Sequence, residues 1–344
     1  MENARLEQIG KFLDTMMTLP VHFGYLKGDI IGRMYHRCKQ LQRGENTSLS
    51  LFAARDILSQ IKENDHVLIL TGWPIWPYGP VGEMDGPPGA VVLARAIARC
   101  RKASAIFVVE EQLNEVMQAA CRYVGLSILD LKTAMTSSGA AAIVNYPTHA
   151  KTSTEAAAEI LDKTTPSYVI AIERPGRNEK GEYHTRWGAN VSQGVDRLDD
   201  LFPEARRRGI RTLGIGDAGN ELGMGCLRET LLELFPEGKV CKCSCGGSIA
   251  GIDEADVSFI ATVCNWGAYA ITGGMAALAG DSSILHDGDT EKGLLGRCAE
   301  KGAIDTTIMA PSPTPEGLST AFHSAWVDIV RQVVAKGISG SGGL

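Results

Sequence analysis

Five short, predominantly apolar runs constrain the fold of this chain more than any other feature of its sequence. They lie at residues 66–71, 105–110, 167–173, 212–216 and 257–264. Strands of a parallel sheet are buried on both faces, so they appear in a sequence as continuous apolar runs. Segments with helical spacing of apolar residues separate these runs. The alternation predicts an α/β fold, namely a doubly wound, mostly parallel sheet with helices on both faces.

The remaining segments define the predicted domain organisation. Residues 1–49 are expected to form an N-terminal helical arm, residues 50–338 the α/β domain, and the Ser- and Gly-rich residues 339–344 a flexible tail. The basic segment at residues 33–43 has little apolar patterning, so we predict an exposed arm or a contact in a homo-oligomer, with a charged, solvated face as the favoured interpretation.

Several connections between the main strands also have a predicted structure. A helix is expected at residues 196–208, and further short strands are expected at residues 127–131 and 141–146. The polar residues 174–188 form a long loop. Long loops inside compact domains are often lids or binding segments.

The overall charge and the cysteine content limit the environment and the partners of the protein. A net charge of −6 provides no broad basic field for nucleic acid. No segment approaches the roughly 18 consecutive apolar residues of a membrane span, and the N-terminus resembles neither a secretion signal nor a transit peptide. The nine cysteines are an odd number, which argues for reduced thiols. We therefore expect a cytoplasmic protein with a small-molecule substrate, no nucleic acid partner and no membrane.

Polar side chains follow the carboxyl ends of the predicted strands. These ends lie at the same edge of a parallel sheet, where the ligand binds in open α/β folds. The residues are Thr71, Glu110, Glu173, Asp217 and Asn265, with Glu83 and Asp85 just downstream of the first. We therefore predict that one rim of the sheet carries the functional site.

The richest of these strand ends is the glycine-rich turn within residues 212–225. It carries Asp217, Asn220 and Glu221 among five glycines. Glycine lets the backbone adopt positive φ and approach a ligand closely. The structural alternative is a plain loop in which Asp217 caps the following helix.

The carboxylates of the predicted rim favour a metal site. Gathered carboxylates repel one another unless a cation or a ligand amine lies between them. Their hard oxygens suit Mg²⁺ or Mn²⁺. The predicted ligands are Glu83, Asp85, Asp217 and Glu221, with Glu173 as a further candidate. The alternative for each is a helix cap or a surface charge.

Candidate substrate and catalytic residues flank these carboxylates. Arg174 and Arg177 could bind a substrate carboxylate, or they could be ion-pair partners of Glu173. His184 could act as an acid or base near neutral pH, with a surface histidine as the alternative. Glu173 and Asp217 are the other catalytic candidates.

Two further candidates for substrate binding follow the last strong strand, and Asn220 is a third. The amide of Asn265 could orient a ligand beside the indole of Trp266, although core packing explains Trp266 equally well.

The segment Cys241-Lys242-Cys243-Ser244-Cys245 contains three closely spaced thiols. Soft thiolate ligands bind zinc, but the spacing is not that of a Cys-x-x-Cys motif and no fourth ligand follows. In a strand, alternation would place all three cysteines on one face as small apolar residues. The interpretation favoured by the sequence is therefore structural packing.

Five ordered motifs together resemble the D-glutamate cyclase-like family. They lie at residues 71–74, 83–90, 171–184, 214–225 and 265–269. The resemblance covers about residues 50–335 and implies conversion of D-glutamate to 5-oxo-D-proline with loss of water. Members differ in activity, since one is a manganese-binding protein interpreted as a phosphatase.

This sequence departs from the family pattern at two places near the predicted site. Ala218 replaces an expected second glycine, and residues 304–307 replace an expected Val-Asp-Gly, a change that bears on part of the substrate pocket.

Cyclisation requires the amine of glutamate to attack its own γ-carboxyl group. The hypothesis is that a divalent metal on Asp85, Asp217 and Glu221 polarises that group. Arg174 or Arg177 would bind the α-carboxylate, and His184 or Glu173 would move the proton. The alternatives are a Mn²⁺-dependent phosphatase using the same carboxylates and a non-catalytic protein that binds an amino acid or a metal.

Overall fold

The computed structural model describes residues 3–21, 30–42, 47–147 and 149–340, and its centre is a six-stranded parallel sheet. The strand order is β3-β2-β1-β4-β5-β6. Its strands are β1 (His66–Thr71), β2 (Ser104–Val108), β3 (Ala141–Val144), β4 (Tyr168–Ile172), β5 (Arg211–Gly216) and β6 (Val257–Ile260). A small antiparallel pair joins β7 (Ile304–Asp305) to β8 (Ala310–Pro311). The predicted α/β class is confirmed.

Helices cover both faces of the sheet. They are α1 (Asn3–Met17), α2 (Ile30–Leu41), α3 (Leu49–Gln60), α4 (Pro87–Arg101), α5 (Asn114–Tyr123), α6 (Leu131–Ala134), α7 (Ser153–Thr164), α8 (Leu201–Arg207), α9 (Arg228–Leu234), α10 (Cys264–Ala279), α11 (Gly288–Glu300) and α12 (Thr320–Ser339). Within the described ranges, no helix is long and apolar enough to span a membrane.

Successive side chains of the central strands point alternately into two apolar cores, one on each face of the sheet. In β1, Val67 and Ile69 belong to the larger core, whereas Leu68 and Leu70 belong to the smaller one on the opposite face. The larger core includes side chains of α1, α3, α4, α10 and α12, and the smaller core includes side chains of α7 and α8. Both faces of the strand are therefore buried, which explains its continuous apolar sequence.

The strand order reverses between β1 and β4. The chain runs outward from β1 through β2 to β3 and then returns to β4, which pairs with the other side of β1. In open α/β sheets the crevice beyond the carboxyl ends of the strands at such a reversal is the usual ligand site. Gly72 and Glu173 are the first residues after β1 and β4.

Over the described residues of the segment 33–43, which end at residue 42, the prediction of an exposed arm is wrong, whereas a charged, solvated face is confirmed by the exposed Arg33, His36 and Arg37. Ile30, Met34 and Cys38 are buried at a spacing of four residues and give α2 one apolar face. This face packs against β6 and α9. Helix α1 contributes Leu6 and Leu13 to the larger core. The proposed division of the chain at residue 49 stays a prediction, and residues 341–344 of the predicted tail lie outside the described part.

Two other local predictions need correction. The helix predicted at residues 196–208 forms only over Leu201–Arg207. The backbone N–H of Asp196 donates to Glu110 and its carbonyl accepts from Arg174, so this residue is held in a loop instead. The strand predicted at residues 127–131 is reduced to an isolated bridge between Ile128 and Ala141.

Candidate active site

A cavity of about 400 Å³ lies at the carboxyl ends of β1, β4 and β5. We call it the acidic pocket because Glu83, Glu173, Asp217, Glu221 and Glu316 line it. The other lining residues are Trp73, Ile75, Thr185, Arg186, Trp187, Ala218, Asn220, Thr306, Thr307 and Met309. The pocket therefore forms at the predicted rim, at the reversal of strand order.

Two helix N-termini are joined beside the pocket by Asp85 and Asn265. Asp85, which precedes α4, accepts hydrogen bonds from the backbone N–H groups of Cys264 (2.7 Å) and Asn265 (2.8 Å) at the start of α10. Asn265 Oδ1 in turn accepts from the N–H groups of Gly86 (3.0 Å) and Gly89 (2.7 Å) at the start of α4. Each residue thus caps the other's helix, and the positive ends of both helices favour negative charge here.

Gly86 allows the loop before α4 to approach the sheet. Its φ is +100°, and a Cβ atom at this position would lie 2.8 Å from both Glu173 Cβ and Thr71 Oγ1. Only glycine accommodates both the backbone conformation and this contact.

Glu221 shapes the glycine-rich turn after β5. Its carboxylate accepts from the backbone N–H groups of Asp217 (3.1 Å), Ala218 (2.8 Å) and Gly219 (2.7 Å). This network makes Glu221 an organiser of the turn, which holds Asp217 at the pocket.

Four side chains beside the pocket bring their ligating atoms close together, namely those of Asp85, Glu173, Asp217 and Cys264. One atom from each lies within 4.8 Å of the other three, and all four residues are buried. Glu173 has a φ of +44°, an uncommon conformation for a residue other than glycine. Its Oε2 atom is buried without an N–H or hydroxyl donor among the described residues.

The electrostatics of this group favour the binding of protons or cations. Burial, followed by the charge of Glu316, raises the pKa of Asp85 to about 7. Burial and neighbouring carboxylates also raise the pKa of Glu83, Glu173 and Asp217 well above their usual values. The charge of Glu83 contributes to the raised pKa of Glu173, so the two carboxyl groups influence each other across the pocket.

Arg186 carries the only guanidinium group among the lining residues of the pocket. It pairs with Glu316 at 3.1 Å. Burial lowers the pKa of Arg186, but the charges of Glu316 and Asp217 raise it by more, so the side chain stays charged.

The two arginines predicted to bind substrate lie elsewhere. Arg174 is buried, pairs with Glu110 at 2.6 Å and donates to the carbonyl of Asp196 at 2.7 Å. Arg177 pairs with Asp200 (2.6 Å) and Asp253 (2.9 Å). Neither lines the acidic pocket. The predicted pairing of Arg174 or Arg177 with Glu173 is replaced by these partners.

The remaining candidates divide between the pocket and the interior. Asn220 lines the pocket, donates to the carbonyl of His184 at 2.7 Å, and leaves a buried Oδ1 without a partner among the described residues. Trp266 is stacked on Trp326 at a ring distance of 5.1 Å, inside the core. The imidazole of His184 faces Cys243 rather than the cavity.

Three prominent pocket residues were not among the candidates from the sequence. Arg186 belongs to the long loop at residues 174–188 that was predicted to be a lid, so its place in the sequence could have identified it as a pocket residue. Glu316 follows a Pro-rich segment with no pattern that marks it as functional. Trp73 belongs to the loop after β1, whose many prolines and aromatic residues suit neither a helix nor a strand.

Thr306 and Thr307 also line the pocket. The departure from the family pattern at residues 304–307 therefore lies at the pocket, as expected.

The acidic pocket fits a hard divalent cation. The carboxylate oxygens of Asp85, Glu173 and Asp217 lie close together. Glu173 Oε2 has no hydrogen-bond partner among the described residues, so it can bind a cation or a hydrogen-bond donor. Burying several carboxylates without a cation would be strongly unfavourable unless they were protonated. The predicted ligands Asp85 and Asp217 are thus brought together, although the carboxylates of Asp85 and Glu221 both already accept hydrogen bonds from backbone N–H groups.

Comparisons with known proteins agree with the motifs. A family model described as D-glutamate cyclase-like, C-terminal, matches residues 38–331. The mitochondrial D-glutamate cyclase of Homo sapiens is 35% identical over 213 residues, an alignment that covers 60% of this chain and 32% of the human protein. The matched region thus spans about a third of that relative's length.

The comparison with solved structures adds little to this assignment. The chain named TcdA (CsdL) aligns with 71% of this chain and 96% of its own length, at 13% identity and a TM-score of 0.27, which is too low to support an argument. The family model, in contrast, matches most of the sequence. The protein belongs to the D-glutamate cyclase-like family.

Proposed function

We propose that this protein is a lyase that converts D-glutamate to 5-oxo-D-proline and water. The observation that carries the proposal is a small cavity in which buried carboxyl groups with raised pKa values face one guanidinium group. The human relative is named a D-glutamate cyclase, which supports this substrate class. Neither the family model nor that relative points to a phosphatase.

The reaction needs a base and an acid in the same pocket. The amine nitrogen of glutamate attacks the γ-carboxyl carbon, a C–N bond forms, and one C–O bond breaks. Two protons leave the ammonium group in total, and the departing oxygen takes up two to become water. Glu83 and Glu173 both have raised pKa values, so an ionised member of the pair can accept a proton and a protonated member can donate one.

Substrate orientation follows from the polar atoms that face the cavity. Arg186 can bind the α-carboxylate bidentately, exchanging part of its pairing with Glu316. Asn220 Oδ1, which lacks a partner among the described residues, can accept a hydrogen bond from the ammonium group. These two contacts would hold the substrate folded, which supplies the proximity that an intramolecular reaction needs.

Asp85, Glu173 and Asp217 would hold Mn²⁺ or Mg²⁺ as the cofactor of this reaction. Bound there, the cation would neutralise charge on the γ-carboxyl group and on the surrounding carboxylates. A substrate with two carboxylates and one ammonium group is a net anion, so in an acidic pocket it needs this compensation in addition to the single positive charge of Arg186.

Incubation with D- and L-glutamate tests the proposal directly. The purified protein is incubated with each enantiomer, with and without added Mn²⁺ or Mg²⁺, and 5-oxoproline is measured by chiral chromatography and mass spectrometry. We expect product from the D enantiomer and more of it with the metal. Binding of D-glutamate without product would instead indicate a non-catalytic binding protein. Phosphate release from a panel of phosphate esters would indicate the phosphatase alternative.

A further inference from the structure

A second group of ligand-type side chains lies on loops beside the acidic pocket. It consists of His184, Cys241, Cys243 and Cys245, and we call it the thiol cluster. One ligand atom of each residue lies within 4.8 Å of the other three. His184 belongs to the loop after β4, whereas the cysteines belong to a turn between α9 and β6. Tertiary structure therefore supplies the fourth ligand that the local sequence lacks.

The distances within the thiol cluster suit one shared metal ion. His184 Nε2 lies 3.2 Å from Cys243 Sγ and 3.6 Å from Cys245 Sγ. Cys241 Sγ lies 3.2 Å from Cys243 Sγ and 3.3 Å from Cys245 Sγ. The sulfurs are too far apart for disulfide bonds, which measure about 2.05 Å. With Zn–S bonds of about 2.3 Å, thiolates on one tetrahedral zinc lie roughly 3.8 Å apart, so small outward movements would suffice.

Two of the sulfurs accept hydrogen bonds from nearby amide groups. Backbone N–H groups of Cys245 and Gly247 donate to Cys243 Sγ and Cys245 Sγ, both at 3.4 Å. The side-chain amide of Asn178 donates to Cys245 Sγ and that of Asn190 to Cys243 Sγ, both at 3.7 Å. Hydrogen bonds from outer-shell groups orient the ligands of a metal ion. Apolar packing, the interpretation favoured by the sequence, does not account for these donors.

The three cysteines do not lie on a strand, the arrangement considered in the sequence analysis. Residues 241–245 form bends and a turn, so the thiols converge on one point instead of lining one face of a strand. The interpretation as apolar packing is supported in part, because Cys241 belongs to the larger core and Cys243 and Cys245 pack against it, but the packing does not come from one face of a strand.

We propose that the thiol cluster binds one Zn²⁺ ion as a structural Cys₃His site. Thiolate and imidazole ligands select zinc over hard cations such as Mg²⁺ and Mn²⁺. Four protein ligands complete a tetrahedron and leave no open position for substrate, which is the arrangement of structural zinc.

The zinc ion would hold one wall of the acidic pocket in place. Thr185, Arg186 and Trp187 directly follow His184 and line that pocket. A backbone hydrogen bond of 2.9 Å from Lys242 to Gly188 already joins the two loops, and the metal would add a second connection. The expected effect on substrate binding rests on the proposed function, whereas zinc binding itself does not.

Metal analysis of the full chain tests this site. The protein is expressed with zinc, purified without a polyhistidine tag under reducing conditions, and its zinc content is measured by mass spectrometry. We expect one zinc per chain. Cys243→Ser should lower zinc affinity by more than the roughly 10- to 100-fold that loss of an outer-shell partner costs. Cys100→Ser, a change of a half-buried cysteine outside the cluster, is the matched control and should retain the metal.

Three further variants test the assignment of the ligands. His184→Ala should lose zinc, whereas His184→Cys should retain it with four thiolates. Asp217→Asn should also retain it, which separates the thiol cluster from the acidic pocket. If Cys243→Ser does not fold, the Co²⁺-substituted wild-type protein provides the readout, since intense sulfur-to-cobalt absorption reports thiolate ligands.

Several results would overturn the proposal. One is a reduced, folded protein without stoichiometric zinc, and another is a Cys243→Ser variant with the zinc affinity of the wild-type protein. The others are loss of zinc from Asp217→Asn but not from Cys243→Ser, and a Co²⁺ derivative without sulfur-to-cobalt absorption. Failure to form 5-oxoproline would leave the zinc content unchanged, so the two proposals fail separately.

Discussion

The acidic pocket and the thiol cluster differ in both donor chemistry and support. The pocket gathers carboxylates at the ends of buried strands, with Asp85 clamped between two helix N-termini. The thiol cluster gathers three sulfurs and an imidazole from loops. Hard oxygens suit Mn²⁺ or Mg²⁺, and soft sulfurs suit zinc. The two proposed sites would therefore select different metals by donor type, with the proposed reactive site on rigid elements and the proposed structural site on loops.

The largest expected effect comes from neutralising one pocket carboxylate. Asp217→Asn should reduce 5-oxoproline formation by roughly 10²- to 10⁴-fold, because it weakens the cation site and removes a charge beside the proposed acid and base. Turnover and Mn²⁺ affinity are the measurements, with circular dichroism as the check on folding. Asp281→Asn, at an exposed position, is the control.

Full activity of Asp217→Asn would contradict the role of the pocket. If Asp217→Asn lost zinc as well as activity, the acidic pocket and the thiol cluster would not be independent sites.

The next largest expected effect is on KM, and it tests whether Arg186 contacts the substrate. Arg186→Gln should raise KM for D-glutamate by about 10- to 100-fold, since a charge-assisted contact is lost. Arg186→Lys should recover part of it, because the charge remains without the bidentate geometry. Arg297→Gln changes an exposed arginine and serves as the control. A KM equal to that of the unchanged protein would exclude the contact.

The pH dependence of the stability tests whether the carboxyl groups of the acidic pocket have raised pKa values. Folding raises the pKa of Asp85 from 3.8 to about 7 and also raises those of Glu173 and Asp217. Such groups stabilise the fold below their unfolded pKa values, and this contribution is lost as pH rises through the folded values. The midpoint of thermal unfolding of protein free of Mn²⁺ and Mg²⁺ should therefore fall by several degrees between about pH 5 and about pH 8.

Two comparisons check the origin of this slope. Adding Mn²⁺ at the upper end should restore the midpoint, and Asp217→Asn should show a shallower decline because one titrating group is gone. A midpoint that rises over this interval would contradict the assignment of the raised pKa values.

The smallest expected effect tests the helix caps that support the pocket. Asn265→Ala removes the acceptor of two N–H groups at the start of α4 and should cost about 1 kcal/mol in the free energy of unfolding. Ser319→Ala, which removes the side-chain cap of α12, should cost a similar amount. Chemical denaturation measures both. A rise in KM for Asn265→Ala without loss of stability would instead favour the substrate contact predicted from the sequence.

Local sequence predicted the positions of the main strands and the acidic rim. The bounds predicted for β1 are those observed, because a strand buried on both faces is almost wholly apolar. Glu173, Asp217 and Glu221 follow predicted strands and line the pocket as expected. These predictions succeed because the exit of a parallel strand determines which edge of the sheet its next residues occupy.

Predictions that depended on partners distant in the sequence were less successful. Arg174 and Arg186 both lie in the loop after β4, yet Glu110 pairs with the first and Glu316 with the second. No local pattern distinguishes these arginines, since the choice is made by carboxylates elsewhere in the chain. His184 likewise gains its thiol neighbours from a turn about sixty residues away.

The sequence by itself determined that this protein would be a doubly wound α/β domain of the D-glutamate cyclase-like family, with carboxylates at one rim. Apolar periodicity and ordered motifs are local properties, so they can be read along the chain. Tertiary structure alone decided which carboxylates face the cavity, which bind backbone N–H groups, and that three cysteines meet a histidine. Those outcomes depend on distances of a few ångströms between segments remote in the sequence, and only the packing of helices against the sheet establishes such distances.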